Sequence, residues 1–186
     1  MPKRQRRRRK KRLKGKYLKR FDAVLKRQRP RSIPVDAPAE ALKAALRFLG
    51  RRARSEAEIT EHLKRQGYTP ALATPTLEQL RRARYAGDAG FARDWTRSRA
   101  DGRGYGPRRI EQELRAKGIH EPLILDVLRE TFGGNNERER ARLVLEKHFQ
   151  RETLDDTKIL RRAAAFLQRR GYSETAILDL LRQRED

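Results

Sequence analysis

The stretch "ELRAKGIHEPLILDVL", residues 113–128, sets a glycine between two apolar helical patterns, and its layout occurs three times. "HLKRQGYTPALATPTL" (62–77) and "FLQRRGYSETAILDLL" (166–181) align with it on Gly67, Gly118 and Gly171, which are 51 and 53 residues apart. Leu63, Leu114 and Leu167 stand four residues before the glycine, and Tyr68, Ile119 or Tyr172 follows it. Thr69, His120 or Ser173 comes next, in N-cap position, although histidine caps poorly. A glycine just past the last turn supplies the left-handed conformation that ends a helix. Each repeat therefore predicts a longer first helix, a short second helix ending at the glycine, and a third helix. Units of about fifty residues bury little surface alone, so neighbours should share a core in an elongated, curved array.

The flanking sequence fits this all-α reading. "RARSEAEITEHLKRQGY" (52–68) opens its helix with a capping box, Ser55 with Glu58, and keeps Ile59 and Leu63 on one face. Upstream, Asp36 is a candidate N-cap with Pro38 in the first turn, and Leu42, Ala45, Leu46 and Leu49 form one apolar stripe. Pro75 falls inside the third helix of repeat one, where proline removes a hydrogen bond and clashes with the preceding turn. That helix should be short or kinked, or should start near Pro75. The units are expected at residues 36–84, 85–133 and 134–186, after a basic tail and linker at 1–35.

Composition narrows the function. The chain has 186 residues, 36% hydrophobic and 39% charged, too few apolar groups for one large core. No run approaches the roughly 18 apolar residues of a membrane span, and "MPKRQRRRRK" lacks the apolar core of a secretory signal. A soluble, intracellular monomer without a membrane partner is expected. There is no cysteine, and His62, His120 and His148 lie in different segments, so neither a metal nor another cofactor is expected. Catalysis has no support either: Asp155-Asp156 sit between helices, Asp88 reads as an N-cap, no phosphate-binding "GxxxxGK[ST]" occurs, and "GRGYG" lacks the preceding strand of a dinucleotide site.

Charge is concentrated. Residues 1–35 carry 17 Lys/Arg against one acid, Asp22, and so hold +16 of the chain's +23. Such a segment should be disordered in isolation, and its cluster Arg6, Arg7, Arg8, Arg9, Lys10, Lys11 and Arg12 suits a polyphosphate partner. A solubilising or targeting tail is the alternative.

The second focus is "GRGYGPRRIEQELRAKGI", residues 102–119. Gly102, Gly104 and Gly106 allow positive φ in a tight corner, Pro107 suits a first helical turn, and the unpaired N–H groups there could meet an anion. Ile110 and Leu114 should face the core, leaving Arg108, Gln112 and Arg115 on the opposite face. The matching outer positions are Ala57, Glu61 and Lys64 in repeat one and Arg161, Ala165 and Gln168 in repeat three, so repeat two is the most basic. Its candidate contact surface for DNA phosphate or an acidic protein groove also includes Arg97, Arg99, Arg103, Tyr105 and Arg109. The plain alternative is an ordinary solvated helix face. Phe91 and Trp95 should be core rather than base-stacking residues, and Tyr105, among arginines, should be the exposed aromatic.

These residues carry a family resemblance. "RARSEAEITEHLKRQGY" and "GDAGFARDWTRSRADGRGYGPRRIEQELRAKGI" (87–119) resemble the signature segments of the RecX family, bacterial modulators of the recombinase RecA. The second is the more specific: Asp88 before Phe91-Ala92, the pair Ser98-Arg99, the turn glycines Gly104 and Gly106, then Arg109-Ile110, Glu113-Leu114 and Lys117-Gly118. The resemblance covers residues 40–184; Gly87, Pro75 and the basic tail depart from it. It implies three tandem three-helix units lodged in the groove of the RecA–DNA filament, restraining its ATPase, strand-exchange and coprotease activities. It also implies a role in bacterial DNA recombination, repair and the SOS response, in the cytoplasm at the nucleoid. The residues themselves leave two functions open: a regulator of the RecA filament with single- and double-stranded DNA as a secondary grip, or a general sequence-independent DNA- or RNA-binding protein.

Overall fold

Nine helices and no strand form among the described residues, 38–150 and 157–182, of this computed structural model. The expectations for the basic tail, Asp36 and Asp155-Asp156 lie outside those residues. The helices are α1 (Pro38–Leu49), α2 (Glu56–Arg65) and α3 (Pro70–Arg82); α4 (Asp88–Arg103), α5 (Pro107–Ala116) and α6 (Glu121–Phe132); and α7 (Asn136–His148), α8 (Thr157–Arg170) and α9 (Glu174–Arg182). Within each set of three, every helix packs against the other two.

The repeated glycine explains why the second helix always stops in the same way. Gly67, Gly118 and Gly171 have φ of +91°, +74° and +86°. Each donates its N–H to the carbonyl three residues back, and the next residue donates to the leucine carbonyl five back: Tyr68 to Leu63 at 3.1 Å, Ile119 to Leu114 at 3.1 Å, Tyr172 to Leu167 at 3.2 Å. This is the paired closure that satisfies the last carbonyls of a helix. It also turns the chain so that the apolar residue after the glycine covers the leucine before it. All three leucines are fully buried, worth about 1.5–3 kcal/mol each.

Four expectations need correction. The cores are separate rather than shared: one cluster lies within residues 41–80, one within 91–132 and one within 141–180. The reason is that each third helix folds back over the first two and seals its own unit. In α1 Ala45 is buried and Leu42 and Leu49 pack against the core as expected, but Leu46 is 36% exposed and Ala41 is buried in its place. Pro75 neither shortens nor delays α3, which runs unbroken from Pro70. Its missing N–H deprives only the carbonyl of exposed Ala71, which water can satisfy. In repeat three the second helix, with 14 residues, is longer than the first, with 13.

The caps divide similarly. Ser55 and Glu58 form the capping box, and the Ser173 hydroxyl accepts the Ala176 N–H at 3.2 Å. Thr69 and His120 have the extended N-cap backbone but no side-chain cap bond, and prolines occupy the first turns that follow.

Candidate functional site

The second helices meet end to end. At the joint of repeats two and three, the N-terminus of α5 abuts the C-terminus of α8: Gly106 donates its N–H to the Arg170 carbonyl at 2.8 Å, and Arg108 to the Gly171 carbonyl at 3.0 Å. Unpaired carbonyls at one helix end thus satisfy unpaired amides at another, bringing opposite dipole ends into contact. The contact has no room for side chains. A β-carbon on Gly106 would lie 2.5 Å from the Gly171 carbonyl carbon, and one on Gly171 would lie 2.5 Å from the Arg109 nitrogen. Two of the amides expected to meet an anion at the start of α5, those of Gly106 and Arg108, are thus already occupied by repeat three.

Only one of the three corner glycines uses positive φ. Gly104 has φ +61° and is packed so closely that a β-carbon would lie 2.7 Å from Val144 Cγ2. Gly102 is still inside α4, and Gly106 is needed for approach rather than for conformation.

The joint of repeats one and two repeats the geometry with side chains. Ser55, at the N-terminus of α2, donates its hydroxyl to the Lys117 carbonyl at the C-terminus of α5, at 2.7 Å. Lys117 Nζ reaches Glu58 at 2.7 Å, and Asp88 accepts the Glu56 N–H at 2.9 Å. Asp88 therefore caps the second helix of the neighbouring repeat, whereas Gly87 holds the N-cap position of its own helix. Burial raises the Asp88 carboxyl despite that N–H bond. Burial also pushes Glu58 up, but hydrogen bonds from Lys117, Arg52 and the Ser55 N–H prevail and hold it below the usual range. The most specific sequence signature, residues 87–119, is in large part a joint.

The candidate contact residues fall into three groups. Arg97, Arg103, Arg108 and Gln112 are exposed, and among the described residues none of the three arginines is in an ion pair. Arg99, Arg109 and Tyr105 point inward. Arg99 Nε donates to Glu113 at 2.7 Å, and its guanidinium lies 3.9 Å from the Trp95 ring centroid, while Trp95 Nε1 donates to the same carboxylate at 2.9 Å. Arg109 lies 3.9 Å from the Tyr105 centroid and donates to the Arg169 carbonyl at 3.3 Å, bracing the second joint. Tyr105 is half-buried against the repeat-two core; the hydrogen bond from Arg103 and the nearby Arg109 hold its hydroxyl below the usual phenol range. Among the described Phe, Tyr and Trp residues the exposed one is instead Tyr85, at 63%. Arg115 is exposed as expected, but it is bound by Glu111 and Glu121, each at 2.6 Å, which offset its charge. Arg6 through Arg12 lie outside the described residues. Phe91 is core, and Trp95 packs partly buried against it.

Sequence reasoning missed the cations that α7 and α8 add beside this joint. Arg108, Arg109 and Gln112 meet Gln168 and Arg169 in an open cleft of about 480 Å³. On the other side, Arg103 meets Arg140, Lys147 and Arg170. The signal was available in the i, i+3, i+4 spacing of Arg140, Leu143, Val144 and Lys147, but the partner helix could not be named without the joint.

Among the described residues no group of His, Cys, Asp and Glu could hold a metal, and no helix is long and apolar enough to cross a membrane.

Comparison with known families matches the RecX first three-helix domain to residues 41–80, the second to 88–128 and the third to 136–181. The regulatory protein RecX of Mycobacterium sp. (strain JLS) is 37% identical over 141 residues, covering 73% of this chain and 76% of the relative. That of Mycobacterium avium (strain 104) is 35% identical over 153 residues, covering 78% and 88%. The crystal structure of RecX from Lactobacillus salivarius superposes with a TM-score of 0.71 at 19% identity, covering 81% of this chain and 97% of that one. A second crystal structure, of a regulatory protein RecX, gives 0.66 at 27% identity, covering 78% and 73%.

Proposed function

The chain belongs to the RecX family, a family of regulatory proteins, and from that membership we propose that it binds the RecA–DNA filament and restrains its ATPase, strand-exchange and coprotease activities. It does so as a monomer, without catalysis or cofactor of its own, in the bacterial cytoplasm at the nucleoid. The working units are residues 36–84, 85–133 and 134–186.

The observation that carries this reading is the end-to-end line of second helices through Ser55–Lys117 and Gly106–Arg170. Two stiff joints between three small cores make an extended scaffold, suited to spanning several subunits of a repeating partner. A general nucleic-acid binder would need only a basic surface, not two such joints. The outward positions Arg97, Arg103, Arg108 and Gln112 then serve as contacts, with the charged segment Arg6–Arg12 supplying long-range attraction to DNA. Arg99, Arg109 and Tyr105 act by holding that surface in place, and Arg115 by salt-dependent pairing.

The experiment is a chain of residues 36–186 added to RecA on single-stranded DNA. Loss of filament ATPase or strand exchange is expected. An inert chain that leaves filament assembly unchanged would promote the general nucleic-acid binder, which the +16 charge of residues 1–35 favours.

A further inference from the structure

Between the first helices of repeats two and three runs an elongated groove, made of two adjoining pockets of about 490 and 470 Å³ that share Asp101, Arg140 and Leu143. One end is lined by Arg97 and Arg93, the other by Arg103, Lys147, Arg170 and His148. It lies apart from the outer face of α5. Its carboxylates are already engaged: Asp101 with Arg140 at 2.5 Å, Glu130 with Arg93 at 3.2 Å, and Glu139 with Arg142 at 2.6 Å. Among the described residues Arg170 is bound only to a neutral group, the Arg103 carbonyl, and lies 4.7 Å from the Phe166 ring centroid. Among the described residues no carboxylate pairs with Arg97, Arg103, Lys147 or Arg170, which together place positive charge along the groove.

The groove also holds an exposed ring. His148 stacks on buried Phe166, with centroids 4.1 Å apart and planes 11° from parallel, while Phe149 meets it edge-on at 5.0 Å. Its second face meets no other ring among the described residues, and the side chain is exposed. Phe166 fixes the imidazole plane in advance, so little rotamer freedom remains to be lost on stacking.

We propose that this groove binds single-stranded nucleic acid, with one unpaired base stacked on His148 and the flanking phosphates held by Lys147, Arg103, Arg170 and Arg97. A stacking platform beside a line of cations is the arrangement that grips a single strand without reading sequence. A duplex hides its base faces and cannot use His148; an acidic peptide could use the cations and Leu143 but gains nothing from the ring. The inference rests on the reading that the repeats touch nucleic acid, and it locates that contact.

The test uses the full chain with labelled oligothymidylate and an abasic oligomer of equal length, at elevated salt, where exposed charge contacts weaken. The parent protein should prefer oligothymidylate. His148→Ala should weaken that binding about tenfold, the ordinary worth of one stacked base, and leave the abasic oligomer unaffected. His148→Phe should restore it. Lys147→Glu should weaken both oligomers. Equal affinity of the parent protein for the two oligomers would overturn the stacking site, even if His148→Ala proved unstable. Competition by polyglutamate as strong as by oligothymidylate, lost on Lys147→Glu, would assign the groove to an acidic peptide instead. Binding that survives every groove variant but falls with Arg108→Ala would sink the groove alone and leave DNA contact standing; no binding by the parent would sink both.

Discussion

Gly106 and Gly171 touch backbone to backbone: a β-carbon on Gly106 would lie 2.5 Å from the nitrogen of Tyr172 and from the carbonyl carbon of Gly171. Both contacting atoms are main chain, so nothing flexible can give way.

Gly106→Ala should therefore loosen the joint of repeats two and three. We expect a drop in stability of about 1–3 kcal/mol, the ordinary size of overpacking, and faster hydrogen exchange at the Gly106 and Arg108 amides. Gly90→Ala is the contrast. Gly90 lies inside α4 with open space around it, so the substitution should stabilise by about 0.5–1 kcal/mol. Chemical denaturation and exchange on the two variants check both signs.

Ser55→Ala should cost about 1–2 kcal/mol. The hydroxyl is fully buried, accepts the Glu58 N–H within its own repeat and donates to Lys117 in the next. A loss no greater than that of an exposed alanine substitution such as Thr60→Ala would show that the first joint does not depend on it.

Which parts of this were legible in advance follows from what each residue answers to. The glycine stops, the capping box and the buried Leu63, Leu114 and Leu167 are local decisions, written within six residues of one another. The joints are not local. Asp88 lies 32 residues from the amide it caps, and Ser55 lies 62 residues from Lys117. Asp88 and the glycines of 102–106 look the same in sequence whether they cap their own helix, bend a loop or admit a neighbour. In sequence Arg99, Arg109 and Arg115 look like the open cations for the same reason: exposure follows helical spacing, but an ion pair or a ring beneath depends on what packs alongside. Pro75 shows the converse, a local rule overridden because the orphaned carbonyl faces water.

Core and surface substitutions in α5 should separate cleanly. Leu114→Ala should cost about 2–5 kcal/mol through lost burial and a cavity. Arg108→Ala, at an exposed position, should stay within about 0.5 kcal/mol and yet weaken filament or DNA binding. Melting curves and binding isotherms on the same two variants check this.

The first joint should respond to acid. Hydrogen bonding by Arg81 holds Glu56 below the usual carboxylate range, and Glu58 is also lowered. Groups depressed on folding contribute stability that is full above their unfolded value, about pH 4.3, and lost as pH falls through their folded values. Asp88 has the opposite sign, being raised by burial, and offsets part of that loss. Glu58→Gln should remove its share, so its stability should fall less steeply below about pH 4.3 than that of the parent. Parallel acid limbs would contradict the assignment.

We propose that the three joined repeats act on RecA. The most direct measurement is RecA-dependent ATP hydrolysis on single-stranded DNA with substoichiometric amounts of this protein, comparing the full chain with residues 36–186. Both chains should lower hydrolysis, the shorter one at a higher concentration because it lacks the +16 of residues 1–35. Undiminished hydrolysis with residues 36–186 at every concentration, while the full chain acts only through the salt-sensitive affinity of its tail, would contradict this proposal.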